Sequence, residues 1–206
     1  MNRFLGLLLC FILLLACLVF QEAHAFNIYR VGEEIIGQEY NDVWKRWFDK
    51  KFSIWVGVSE NNTEYIFFKG ETGLGDATVM VEYSKTTREK LRKAVEKAIE
   101  WSDVARKNQA DTTKNLGCFG WDDEYNSCMI SGSAFVKNQM GLRFFASNSG
   151  KETSLIISII DRDNQFIKAS IYVNLPETKK MLNALDQIEI VFKKARKTAK
   201  DQKLFK

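Results

Sequence analysis

The run TEYIFFKGETGLGDATVMVEYS, from Thr63 to Ser84, carries two alternating segments around a turn-rich bend and ends at a helix cap, and the same succession returns from Thr153. At a constant spacing of 90 residues, Tyr65, Ile66 and Phe67 fall on Leu155, Ile156 and Ile157, and Val79, Val81 and Tyr83 fall on Ala169, Ile171 and Val173. Alternation with period two is the signature of a strand with one buried face. The intervening bends, GETGLGD and DRDNQ, are rich in turn formers. Ser84 and Asn174, both good N-cap residues, then open the helical runs KTTREKLRKAVEKAIEWSDVARK and LPETKKMLNALDQIEIVFKKARK. Pro176 fits an early helical position. Leu91, Ala94, Val95, Ala98, Trp101 and Ala105 form one apolar stripe, and Met181, Ala184, Leu185, Ile188, Val191 and Ala195 form the other.

This phase predicts an α+β protein of two tandem ββββα units, residues 26–110 and 115–206, each an antiparallel sheet plus a helix, related by an internal pseudo-repeat and sharing a core. The hairpins IWVGVSENNTEYIFF and RFFASNSGKETSLIIS sit at the centre of the two units. Upstream, FNIYRVGEEIIGQEY reads as a strand and a turn, and SCMISGSAFVKNQ as the first strand of the second unit. Each helix can bury its stripe on its own sheet or on its partner's. The order of elements is similar to that of the Whirly and PUR single-stranded nucleic-acid-binding folds, whose sequence motifs are missing here; the resemblance concerns topology alone.

The N-terminal residues 1–25 carry an early cation at Arg3, an apolar run from Phe4 to Phe20, and the triplet Ala23-His24-Ala25. This is the layout of a secretory signal peptide cleaved between Ala25 and Phe26, which predicts a secreted or periplasmic protein. The alternative is a membrane anchor, through lipidation of Cys17 in Leu14-Leu15-Ala16-Cys17 or through an uncleaved helix. His24 is the only histidine of the chain. After cleavage there is none, which excludes Ser-His-Asp and Cys-His catalysis and histidine-based zinc sites or pH switches. No glycine-rich phosphate loop or G-x-S-x-G elbow occurs. The sequence therefore predicts a protein without catalytic residues, cofactor or metal.

Cys118 and Cys128 remain in GCFGWDDEYNSC, an even pair that reads as a disulfide in an exported chain. On the chain-entropy account, closing this loop stabilises the fold by roughly 2–3 kcal/mol. Inside the loop, Trp121, Asp122, Asp123, Glu124 and Tyr125 form an acidic, aromatic tip suited to a partner contact, or to calcium through Asp122 and Glu124. Asp161 and Asp163 have calcium-loop spacing, but without the completing glycine and glutamate they read as a hairpin turn.

In NDVWKRWFDKKF, Trp44, Trp47 and Phe48 fall at helical spacing among Lys45 and Arg46. The segment reads as a short amphipathic helix packing its rings on a sheet, or as an exposed aromatic and cationic contact surface. Trp55, within a strand, is expected in the core. Lys193, Lys194, Arg196, Lys197 and Lys200 near the C-terminus favour the helix dipole, in a frayed end, or attract anions. Asn61-Asn62-Thr63 is a glycosylation sequon on a turn.

The function expected from these features is that of a non-enzymatic binding protein whose partner is an envelope or extracellular protein. Alternatives are an anionic polymer or a membrane surface, bound through the basic segments, and a carboxylate-based hydrolase. An exported location argues against nucleic acid.

Overall fold

The computed structural model describes residues 27–120 and 138–203. Four strands, β1 (Asn27–Asn41), β2 (Arg46–Val58), β3 (Glu64–Thr72) and β4 (Gly75–Glu82), lead into helix α1 (Lys85–Asn108). Four more, β5 (Thr112–Gly120), β6 (Gln139–Ser147), β7 (Glu152–Ile160) and β8 (Lys168–Asn174), lead into helix α2 (Leu175–Lys203). All eight strands form one antiparallel sheet in the order β4-β3-β2-β1-β8-β7-β6-β5. Among the described residues the molecule is α+β, an eight-stranded antiparallel sheet with two helices.

Caps and turns fix the elements. Ser84 Oγ accepts the Thr87 amide at 2.9 Å, and Asn174 Oδ1 accepts the Glu177 amide at 3.0 Å, so both helices open on side-chain caps. Gln109, in the left-handed region, closes α1, and the Ala110 amide returns to the Ala105 carbonyl at 3.0 Å. The hairpin turn expected at Asp161 is built by Asp161 Oδ1, which accepts the Asp163 and Asn164 amides, each at 2.9 Å.

The centre of the sheet is a seam. Between β1 and β8 the pairing is confined to Gln38 opposite Tyr172. Beyond that pair, carboxylates take the place of a partner strand: Glu177 Oε2 accepts the Ile36 amide at 2.9 Å, and Glu39 Oε1 accepts the Ser170 amide at 3.3 Å. The far edge of β4 is closed similarly. Asp161 Oδ2 accepts the Thr78 amide, and Asn138 both accepts the Met80 amide and donates to the Met80 carbonyl at 2.7 Å. The sheet thus curls until β4 meets the second set of strands. At Gly70 a Cβ would lie 2.9 Å from Ile159 Cδ1 and 3.3 Å from Ala169 Cβ, so the missing side chain lets the inner face of β3 come close to β7 and β8.

The helices cross over. α1 packs on β5, β6 and β7, with Trp101 5.8 Å from Phe144, whereas α2 lies mainly against β1 and β2. Gly32 makes the second packing possible. It sits at φ +68° where β1 bulges between Val31 and Ile35, and a Cβ there would be 2.9 Å from Ala184 Cβ. The inward strand residues and both helix stripes then merge into one core, from Ile54, Phe68 and Leu91 to Leu142, Ile157 and Phe192.

Two sequence expectations need correction. The gapless spacing of 90 places Ile66, which belongs to the main core, on Ile156, which is buried on the opposite face of the sheet beside Arg143 and Tyr172. Matching inward faces pairs Ile66 with Ile157 and Phe68 with Ile159, one residue further on, while β4, β8 and the helices keep the original spacing. Since strands have period two, that single residue reverses the face of the whole element. Trp55 lies on the outer face, with its Nε1 donating to Ser53 Oγ at 2.8 Å and Lys69 5.0 Å above its ring. The basic C-terminal segment continues α2 as far as Lys203. Strand β5 was not anticipated, and the segment expected as the first strand of the second unit lies, but for Asn138 and Gln139, outside the described residues.

Candidate functional site

The segment from Asn41 to Phe52 is a hairpin tip followed by a strand, not an amphipathic helix. Asn41 Oδ1 accepts the Val43 and Trp44 amides at 3.0 Å, and Lys45 adopts φ 51°, which turns the chain back on itself. Tyr40 then pairs with Trp47 and Glu39 with Phe48. Trp47 and Phe48, adjacent in a strand, face opposite sides. Arg46 lies 4.5 Å from the Phe48 ring on one face, and Trp47 stands on the other, 48% exposed.

Trp47 belongs to a ladder of rings across the seam. Its centroid is 5.4 Å from Tyr40 and 5.1 Å from Tyr172, and Tyr172 is 6.0 Å from Phe145, all edge to face. The ladder borders a groove of about 700 Å³ on the outer face. Gln38, Asp49, Ser154 and Asn174 present amide, carboxylate and hydroxyl groups to it, and Arg106, Lys151, Glu152 and Glu177 bring charges of both signs. Gln38 Nε2 donates to Asp49 Oδ1 at 3.1 Å.

Burial opposes ionisation of Glu177, but Lys180 at 2.7 Å and the Ile36 amide prevail and hold its carboxyl below the ordinary carboxylate range. Glu177 is therefore a fixed anion at neutral pH, the opposite of what a general acid requires.

Other sequence candidates lie elsewhere. In an antiparallel sheet successive strands reverse direction, so the β1–β2, β3–β4 and β7–β8 connections share one end of the sheet, and the β2–β3 and β6–β7 turns share the other. The basic residues of α2 belong to the second end. There Arg196 pairs with Glu64 and, at 3.6 Å, with Glu189, which raises the pKa of its guanidinium, and Lys194 sits 5.8 Å over Tyr29. Lys193, Lys197 and Lys200 are exposed. The structure does not bring this group together with Trp44, Lys45, Arg46, Trp47 and Phe48. Cys118 stands on β5, and Cys128 and the WDDEY tip, Trp121 to Tyr125, lie outside the described residues.

Sequence reasoning found Trp47 but missed Tyr40, Phe145 and Tyr172. Their signal was present: Tyr172 alternates with inward Ile171 and Val173, and Phe145 with inward Phe144 and Ala146, so each is a large ring at a position that alternation assigns to solvent. Compared with protein-family models, with curated proteins and with solved structures, the chain matches none.

Proposed function

We propose that the chain is an exported, non-enzymatic binding protein built from two tandem ββββα units, and that its ligand occupies the seam groove. The duplication is supported by the repeated element order, by side-chain caps on Ser84 and Asn174 at matching positions, and by both junctions between the strand sets being closed with side chains. A Cys118–Cys128 disulfide would tie the end of β5 to the segment that follows it.

The observation that carries the binding reading is the ring ladder of Trp47, 48% exposed, with part-buried Tyr172 and Phe145, beside convergent amide and charged groups. Flat ring faces pack on the C–H faces of a sugar, while amides, carboxylates and guanidinium groups bond its hydroxyls. Because the lining charges are of both signs, an uncharged, hydroxyl-rich ligand fits better than a polyanion. The ligand class is a saccharide chain, free or carried by an envelope or extracellular protein.

Titrating the purified protein with defined neutral oligosaccharides while following tryptophan emission tests this. Trp47→Ala and Tyr172→Ala should each weaken binding at least about 10-fold, the former with little change in melting temperature. Binding indifferent to both substitutions, or release of shortened sugars, would overturn it. A second reading, polyanion binding at exposed Lys193, Lys197 and Lys200, predicts steep loss of binding with salt.

A further inference from the structure

The end of the sheet that carries the β1–β2, β3–β4 and β7–β8 connections presents a large apolar side chain on every one of these tips. Val43 is 85% exposed and Trp44 68% on the first, Leu74 is 85% exposed on the second, and Phe166 is 80% exposed on the third. The turns at the opposite end, Ser59 to Thr63 and Asn148 to Lys151, are wholly polar. An apolar residue at one loop tip is ordinary. Its recurrence on three separate tips along one rim, set against polar turns on the other, divides the molecule into two unlike ends.

The three tips also share a backbone device. Asn41 Oδ1 accepts the amides of Val43 and Trp44, Thr72 Oγ1 accepts the amide of Leu74, and Asn164 Oδ1 accepts the amide of Phe166, each at 3.0 Å. In every tip the amide of the protruding apolar residue is satisfied by a side chain two or three residues before it. In water such a bond gains little, because the amide would otherwise be hydrated. In a medium without water an unpaired amide is costly, so internal pairing is the condition for inserting a tip.

We infer that this rim docks on the interface of a lipid bilayer, with Val43, Trp44, Leu74 and Phe166 inserted. Trp44 is suited to the headgroup boundary, where its ring is buried and its N–H stays hydrated. Near the tips Lys45 pairs with Asp42 at 3.6 Å, and Arg162 with Asp163 at 2.9 Å, so the described residues there carry charges of both signs and no strong cationic field to select anionic lipid. Insertion is therefore driven by apolar area and not by charge. Tips carried by separate hairpins are matched by a fluid surface, which adapts to each of them, better than by the fixed relief of a protein. This surface is separate from the seam groove, and either can operate without the other.

Flotation with phosphatidylcholine vesicles, at low and high salt and without added saccharide, tests the inference. The protein should float at both salt concentrations, and brominated phosphatidylcholine should quench its tryptophan emission. The triple variant Trp44→Ser, Leu74→Ser, Phe166→Ser should partition at least about 10-fold less, since each inserted side chain contributes through the apolar area it buries. Its fold should be intact, because all three side chains are exposed. The comparison is made in the same chain, so any contribution of the N-terminal residues is common to both proteins. Partitioning that the triple variant retains, or that salt abolishes, would overturn the proposal. So would absence of quenching by the brominated lipid.

Discussion

Glu177 does three things with one carboxylate: it accepts an amide of β1, pairs with Lys180, and lines the groove. Its folded-state pKa is depressed, so the stability it confers is present above the unfolded value of about 4.3 and is lost as pH falls through the lower folded value. Glu177→Gln should melt lower than the parent at pH 7. The gap should narrow below about pH 4, as thermal melts across that range will show. Tyr83 is a second such residue. Burial and the bond its hydroxyl gives to Glu189 push its pKa up to about 12, and its ring lies 4.6 Å from Phe192, which ties β4 to α2. Tyr83→Phe keeps the ring and removes the bond, so denaturant titration should register a loss of about 1 kcal/mol.

Of the two described helices, α2 packs against more of the sheet. Phe192, fully buried, stands where the first strand set meets this helix, and Phe192→Ala should cost about 3–5 kcal/mol in urea unfolding. Ser84→Ala, which removes only the cap of α1, should cost about 1 kcal/mol. The helices were legible because their stripes have a strong period and caps mark where they begin. Strand β7 was found, yet its faces were reversed by the missing one-residue gap, since alternation identifies a strand without saying which neighbour it aligns with. The hairpin at Trp44 was misread as a helix because tryptophans three apart fit either a helix or a tip followed by a strand. What decided between them was Asn41, whose side chain caps the turn.

At the scale of the whole molecule, neither strand set encloses its own helix, so the first half on its own lacks the cover that α2 provides. Residues 26–110 produced alone should show no cooperative melting transition, whereas the intact chain should unfold in one step by far-UV and near-UV circular dichroism. The ring ladder at the seam was illegible in the sequence for a related reason. Trp47 and Tyr172 are far apart along the chain, and only the pairing of β1 with β8 makes them neighbours. The crossing of the helices also bears on synthesis. Contacts that complete the core of the first half come from residues near the C-terminus, so β1 and β2 stay uncovered until the last helix arrives. An apolar sheet face left bare for that long is open to misassembly or to a chaperone throughout synthesis.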